Sequence, residues 1–348
     1  MAIIDKPSNN FNTKLYTGNG GTQSITGVGF KPDWTWIKSR TTTGYQNVFD
    51  AVRGSTKRIF TNVNEAEQTV SNSLTAFNND GFTVGSNGDV NGNSQSQVAW
   101  NWKAGGSVNG NTNGSITSTT SVNDTAGFSI LTYTGSGSNA TLGHGLSTAL
   151  KMIIVKRRDG AANWQVYHGA LAANQALELN GTGGSFTAAN RWNSTAPTNT
   201  VFSVGTATEV NAQYGTYVAY CFAEKTNYSK FGSYIGTGST NGPFIYTGFK
   251  PAFVLIKSAS SAGSWLLWDN KRSSTGGFNS NHYILVPNNT EVEQTGTNYA
   301  IDILSNGFKL RNNNGNVQNS GENAIYMAFA ENPFVTSTDN GSIPATAR

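Results

Sequence analysis

Short apolar bursts punctuate this chain. Trp34-Thr35-Trp36-Ile37 runs into Lys38, Met152-Ile153-Ile154-Val155 into Lys156, and Phe253-Val254-Leu255-Ile256 into Lys257. None of the three has a polar face, so each is expected to be a short strand buried on both sides. Elsewhere apolar and polar residues alternate with period two between turns rich in Gly, Asn and Ser, as half-buried strands do. No stretch carries the helical period over ten or more residues. Ser71–Phe77 and Ala170–Leu177 could hold a turn or two of helix.

The bursts are marks of an internal repeat. Tyr16-Thr17-Gly18-Asn19-Gly20, Tyr133-Thr134-Gly135-Ser136-Gly137 and Tyr234-Ile235-Gly236-Thr237-Gly238 precede the three lysines, with Tyr-to-Lys gaps of 22, 23 and 23 residues. Eight residues past each lysine stand Gln46, Trp164 and Trp265, and twelve past it stand Asp50, His168 and Asp269. Second strands end at Asn62, Asn180 and Asn288. Strands Gly81–Val84, Val201–Val204 and Gly307–Leu310 follow. Val98–Trp102, Tyr217–Phe222 and Ile325–Phe329 close the units, each alternating around a small residue.

The pattern predicts an all-β chain of three tandem β-sandwich, jelly-roll-like repeat domains of about 100 residues, at 11–104, 114–224 and 228–334. An N-terminal arm (1–10), a Gly/Asn/Ser linker (105–113) and a C-terminal arm (335–348) complete the expected organisation. Tandem sandwiches in series predict a rod-like or arched shape with repeated sheet edges. The middle repeat is the divergent one.

Composition narrows the function. Over 348 residues the net charge is +4, charged residues are 12% and there is no Lys/Arg run, which disfavours a nucleic-acid partner. One cysteine, Cys221, rules out an intrachain disulfide, and its apolar strand makes it a core residue. The start of the chain has no apolar leader and no stretch approaches a membrane span, so assembly in a cytoplasm without a membrane partner is expected.

Candidate chemistry is sparse. Glu65-Ala66-Glu67 recurs as Glu291-Val292-Glu293, and carboxylates two apart on a strand lie about 7 Å apart on one face, a spacing glycosidases use. The middle repeat lacks the pair, and a solvated edge or loop is the expected role. Asp50, His168 and Asp269 occupy one repeat position with two different groups, which points to loop tethering rather than catalysis. His144, His168 and His282 share no metal-ligand spacing, and Asn78-Asn79-Asp80-Gly81 and Asn87-Gly88-Asp89 read as turns rather than calcium loops. No catalytic residue, metal or cofactor is expected. Trp164, Trp192 and Trp265, near loops with amides beside them, are the candidate carbohydrate-binding residues, although Trp164 and Trp265 occupy one repeat position, which also fits a core role.

Several motifs together resemble a repeat of virion proteins of marine tailed phages: Thr13-Lys14-Leu15-Tyr16-Thr17-Gly18, Gly27-Val28-Gly29-Phe30-Lys31-Pro32-Asp33-Trp34-Thr35-Trp36-Ile37-Lys38, Val52-Arg53-Gly54, Asp80-Gly81-Phe82, Val98-Ala99-Trp100-Asn101-Trp102-Lys103, Ala330-Glu331-Asn332-Pro333-Phe334 and the terminal Thr346-Ala347-Arg348. The likeness covers nearly the whole chain, except that the middle repeat lacks the Phe-Lys-Pro step and the Arg-Gly pair. It implies sandwich domains of lectin-like shape in a tail, fibre or capsid exterior, and it carries over no established active site. The expectation is a non-enzymatic virion protein whose partners are other virion proteins, copies of itself and host cell-surface glycans. A carbohydrate-binding module is the alternative, and a glycan depolymerase using Glu65 or Glu291 the third.

Overall fold

The computed structural model describes residues 4–106, 109–272 and 279–334. The fold is all-β, and every strand ladder is antiparallel. Three large sheets each draw their strands from one stretch of chain. The first is ordered Phe11–Thr17, Ser96–Trp102, Trp34–Ser39, Asn47–Asp50, Gly54–Phe60, Gln68–Thr69. The second repeats that order around Phe128–Thr134, Thr216–Ala223, Leu150–Arg157, Gln165–His168 and Gln175–Glu178. The third runs Ser229–Ile235, Asn323–Pro333, Phe249–Ser258, Leu266–Asp269. A smaller sheet covers one face of each, as Gln23–Thr26, Gly81–Val84 and Leu74–Asn78 cover the first.

The polar-free bursts are strands with two buried faces. All six residues of Trp34–Ser39 are buried. Ile37 and Ala99 pack inward on their own small sheet with Ile25, Phe82 and Val84. On the other face Trp34, Trp36, Trp100 and Trp102 join one cluster that also takes Ile130, Ile154, Tyr220 and Phe222 from the second sheet and Phe253, Leu255, Met327 and Phe329 from the third. Phe11 stacks on Phe329 with ring centroids 5.3 Å apart, and Trp34 stacks on Tyr220 at 4.6 Å. The repeats therefore close into a ring around a shared aromatic centre. A linear string would hold the first and third apart, and such large faces would be left wet; burying them at about 25 cal/mol per Å² drives closure.

The Tyr-x-Gly-x-Gly motif is a lock used three times. The tyrosine hydroxyls donate to the carbonyls of Val90, Val210 and Val317 at 2.6, 2.7 and 2.7 Å. A Cβ on the first glycine would sit 2.2 to 2.3 Å from a carbonyl oxygen, that of Gly92, Ala212 or Asn319. The second glycine has φ of +69°, +73° or +66°, open to glycine at no steric cost.

Several expectations are corrected. The N-terminal stretch is docked from Ile4 onward: Ile4 is buried in the shared core, and Pro7–Asn9 forms a 3₁₀ turn. In the expected linker 105–113, Asn109–Asn111 pairs with Ser118–Thr120 as an edge strand, while residues 107–108 lie outside the described ones. The arm at 335–348 also lies outside them. Neither expected helical turn forms: Leu74–Asn78 and Gln175–Glu178 are strands, and the α-helices described are the four-residue Gly88–Asn91, Ala189–Trp192 and Thr208–Asn211. The small residue of the closing strand is not general, because register places Tyr326 where Ala99 and Ala219 stand, each paired one residue beyond the partner of its lysine. In the third repeat Phe249-Lys250-Pro251 lies inside the strand rather than in a turn, and the ladder slips on both sides of Pro251, which has no N–H to give.

Candidate functional site at the junctions between repeats

Each repeat meets the next through the same backbone bonds. Gly44, Ala162 and Gly263 donate their N–H groups to the carbonyls of Thr290, Asn64 and Thr182 in the preceding repeat, at 2.9, 2.8 and 2.7 Å. In return Glu293, Glu67 and Ser185 donate to the carbonyls of Arg40, Arg158 and Ala259. The residue eight past the lysine crosses the junction too. Trp164 Nε1 donates to the Phe60 carbonyl (2.7 Å), Trp265 Nε1 to Glu178 (2.9 Å) and Gln46 Nε2 to Val286 (2.9 Å).

The three tryptophans expected to meet sugars are therefore misplaced as surface residues. Trp164, Trp192 and Trp265 are each only 1% exposed, with no ring face for a ligand. Trp164 and Trp265 brace junctions, and Trp192 packs edge-on against Tyr167 under the second small sheet. The loops that carry them are polar, but the rings point into cores, where most indole surface is stabilising.

Between the first and second repeats a chain of charges runs from surface to centre. Arg158 holds Glu67 through Nε and Nη2 at 2.9 and 3.0 Å, and Glu67 also accepts from Arg53 Nη1 at 3.0 Å. Arg53 pairs with Asp50, and Asp50 accepts from the Tyr220 hydroxyl of the second repeat at 2.7 Å. Between the third and first repeats the same chain reads Arg40, Glu293, Arg272, Asp269, Trp100. Arg40 holds Glu293 at 2.9 and 2.7 Å, Arg272 bridges Glu293 (3.0 Å) and Asp269 (2.5 Å), and Trp100 Nε1 donates to Asp269 at 2.9 Å. Asp50 and Asp269 also tether their own loops through the N–H groups of Arg53 and Arg272. Burial pushes the Glu67 carboxyl up, but Arg158 and Arg53 outweigh it and hold it below its ordinary range. The cationic form of Arg53 is likewise favoured, since Asp50, Tyr220 and Glu67 overcome the cost of its burial.

Between the second and third repeats every member is replaced. Ala259 stands for the outer arginine, Ser185 for the glutamate, Leu171 for the inner arginine, His168 for the aspartate and Met327 for the Trp or Tyr donor. Met327 has no hydrogen to give, so an acidic partner would be left buried and unpaired. His168 solves this by donating across the junction where the aspartates accept. Its Nδ1 accepts from Ala170 N–H at 3.2 Å, which leaves Nε2 to donate to the Tyr326 carbonyl at 3.1 Å. Burial pushes its pKa down to about 4, so the ring is neutral near pH 7.

The remaining sequence candidates resolve into structural roles. Glu65 accepts from Gln68 and Glu291 from Gln294, while Glu67 and Glu293 are held by two arginines each. Asp80 caps the N–H groups of Gly27 and Gly29, and Asn87 caps the turn of Gly88–Asn91. His144 is buried, with Nε2 on the Thr198 carbonyl, and His282 contacts Ser280. Among the described residues no three His, Cys, Asp or Glu side chains are grouped to hold a metal, and no helix is long and apolar enough to cross a membrane. Cys221 is fully buried, and burial pushes its thiol pKa up. The anchor lysines are buried without a carboxylate partner among the described residues. Lys38 Nζ donates to the Ser39 and Thr42 carbonyls, Lys156 to Asn64 and Ala162, and Lys257 to Ser258, and burial pushes all three down to about 8.

Sequence reasoning missed the arginines Arg40, Arg53, Arg158 and Arg272. The signal was a joint absence: the middle repeat lacks both the Arg of Val52-Arg53-Gly54 and the Glu pair, and residues that vanish together are partners.

Residues 6–333 match a family described as a domain of unknown function (DUF7483). No curated protein and no solved structure matches the chain.

Proposed function

We propose that this chain, which belongs to the DUF7483 family, is a non-enzymatic structural component of a phage particle, exposed on its exterior as tail appendage or capsid decoration. The observation that carries this reading is the fate of the repeated carboxylates. Glu67 and Glu293, the partners that Glu65 and Glu291 would need free in a two-carboxylate depolymerase, are each clamped between two arginines and spend their lone pairs holding repeats together. These two carboxylates thus go into closing a ring. The resemblance of the repeat motifs to marine phage virion proteins supports the same reading, as does the sandwich architecture with its exposed edges, which suits contacts to other particle proteins and to copies of the chain.

The test is direct. Purified particles are digested and searched by mass spectrometry for peptides of this chain, and a label on the C-terminal residues is located by electron microscopy. Peptides at structural copy number with the label on the outer surface are expected. Particles that lack the chain overturn the proposal.

A further inference from the structure

The junction between the second and third repeats holds a recess at positions where the other two junctions carry an Arg–Glu–Arg cluster. It has a volume of about 400 Å³, and its walls include Leu171, Gln175, Ser185, Ala259, Ser260 and Asn323. Three of these, Leu171, Ser185 and Ala259, are the three positions that carry Arg, Glu and Arg at the sister junctions. The recess therefore lies where the sister junctions hold charged side chains, and the smaller, uncharged side chains here leave it open.

What remains on the walls has a consistent chemistry. No lining residue is charged. Leu171 and the alanines offer apolar patches, while the rim carries two amides and two hydroxyls. Several of their polar atoms have hydrogen-bonding capacity to spare. Gln175 uses Oε1 to accept from Ala172 N–H at 3.2 Å, leaving its NH₂ group as a donor. Ser260 Oγ accepts from Asn323 N–H at 2.9 Å and keeps its own hydrogen. Ser185 Oγ donates to the Ala259 carbonyl at 2.9 Å and keeps its lone pairs. Neutral amide and hydroxyl donors and acceptors above a small apolar floor match a neutral ligand that has both hydroxyl groups and C–H faces. An anion would find no cation, and a cation no carboxylate.

We propose that this recess is a binding site for a neutral, polyhydroxylated ligand of mono- or disaccharide size. It is independent of the particle reading, because a sugar site at this junction does not require the chain to be in a virion. Without an aromatic stacking face the site binds in the millimolar range, where specificity rather than strength is the useful property.

The full chain is titrated with neutral hexoses and their disaccharides, following backbone amide shifts by NMR. Saturable millimolar shifts are expected at Ser185, Ala259, Ser260 and Asn323. The double substitution Ala259→Arg with Ser185→Glu rebuilds the sister ion pair inside the recess and should weaken binding at least tenfold without lowering the melting temperature. Gln175→Ala, which removes one rim donor, should weaken it severalfold and serves if the double variant does not fold. A wild-type chain with no shift for any sugar overturns the proposal, as does binding that survives both variants unchanged or maps to other residues.

Discussion

Trp100 donates its indole N–H to Asp269 across 169 residues of sequence, at 2.9 Å and in full burial. The bond fastens the first repeat to the third, and it ends a chain whose other members, Arg272, Glu293 and Arg40, alternate in charge out to the surface. A buried aspartate of this kind does little for stability relative to apolar packing, yet it is costly to break, since its removal strands a guanidinium in the core.

Asp269→Ala should therefore lower stability by about 3–5 kcal/mol, and Asp50→Ala by a similar amount. Asp269→Leu combined with Arg272→Leu should cost far less than the sum of the two single changes, because the second repeat shows that these positions tolerate neutral residues. Urea denaturation of the four proteins measures the coupling; additive effects would argue against a linked pair.

Gly135→Ala pushes a methyl group to 2.3 Å from the Ala212 carbonyl oxygen, and Gly18→Ala and Gly236→Ala do the same at their own locks. Each is expected to cost about 1–3 kcal/mol by overpacking. Gly183→Ala, with open space around it, is the control. Thermal melts of the set should separate the three locks from the control.

The anchor lysines set an alkaline response. Their folded pKa lies near 8 against 10.5 in the unfolded chain, so above pH 8 the unfolded state binds more protons and stability rises with pH. The slope approaches about 1.4 kcal/mol per pH unit for each lysine at most. Buried tyrosines, whose pKa values are raised, oppose it at higher pH. Between pH 7.5 and 9 the midpoint of urea unfolding should rise, and Lys38→Met should make the rise shallower. Identical slopes in the two proteins would refute the assignment.

His168 sets the acid response with a related sign. Its folded pKa near 4 lies below the unfolded 6.5, so stability is full above pH 6.5 and is lost as pH falls towards 4, by roughly 3 kcal/mol at the limit. His168→Leu should be less stable at pH 7, where two hydrogen bonds are lost, yet lose less on acidification to pH 4.5. Hydrogen exchange should show the second and third repeats parting first.

Much of the fold was legible because it is written locally. A strand without a polar face, such as Trp34-Thr35-Trp36-Ile37, announces burial on both sides, and these residues are buried. The Tyr-x-Gly-x-Gly spacing marked the repeats because each motif is a self-contained lock. Closure of the ring is not legible, since Arg40 finds Glu293 across 253 residues and the repeat pattern does not say which unit holds its partner. The shared repeat position of Trp164 and Trp265 fits a core as well as a sugar face, and only the carbonyls they reach in another repeat separate the two. Asp50 and Asp269 hold their own loops through bonds three residues away, whereas their second partner, a Tyr or Trp from the neighbouring repeat, lies beyond local pattern.

Covalent continuity is what lets the three junctions differ. In a ring of three separate identical chains, a substitution such as Arg to Ala at the outer position would appear at every interface at once and strip all three of their charges. Here one gene encodes all three interfaces, so one can be neutralised while the other two keep the ring shut. The molecule has a threefold plan with a single addressed side, and any ligand, neighbour or label that reads the altered junction will find one such place per chain, never three.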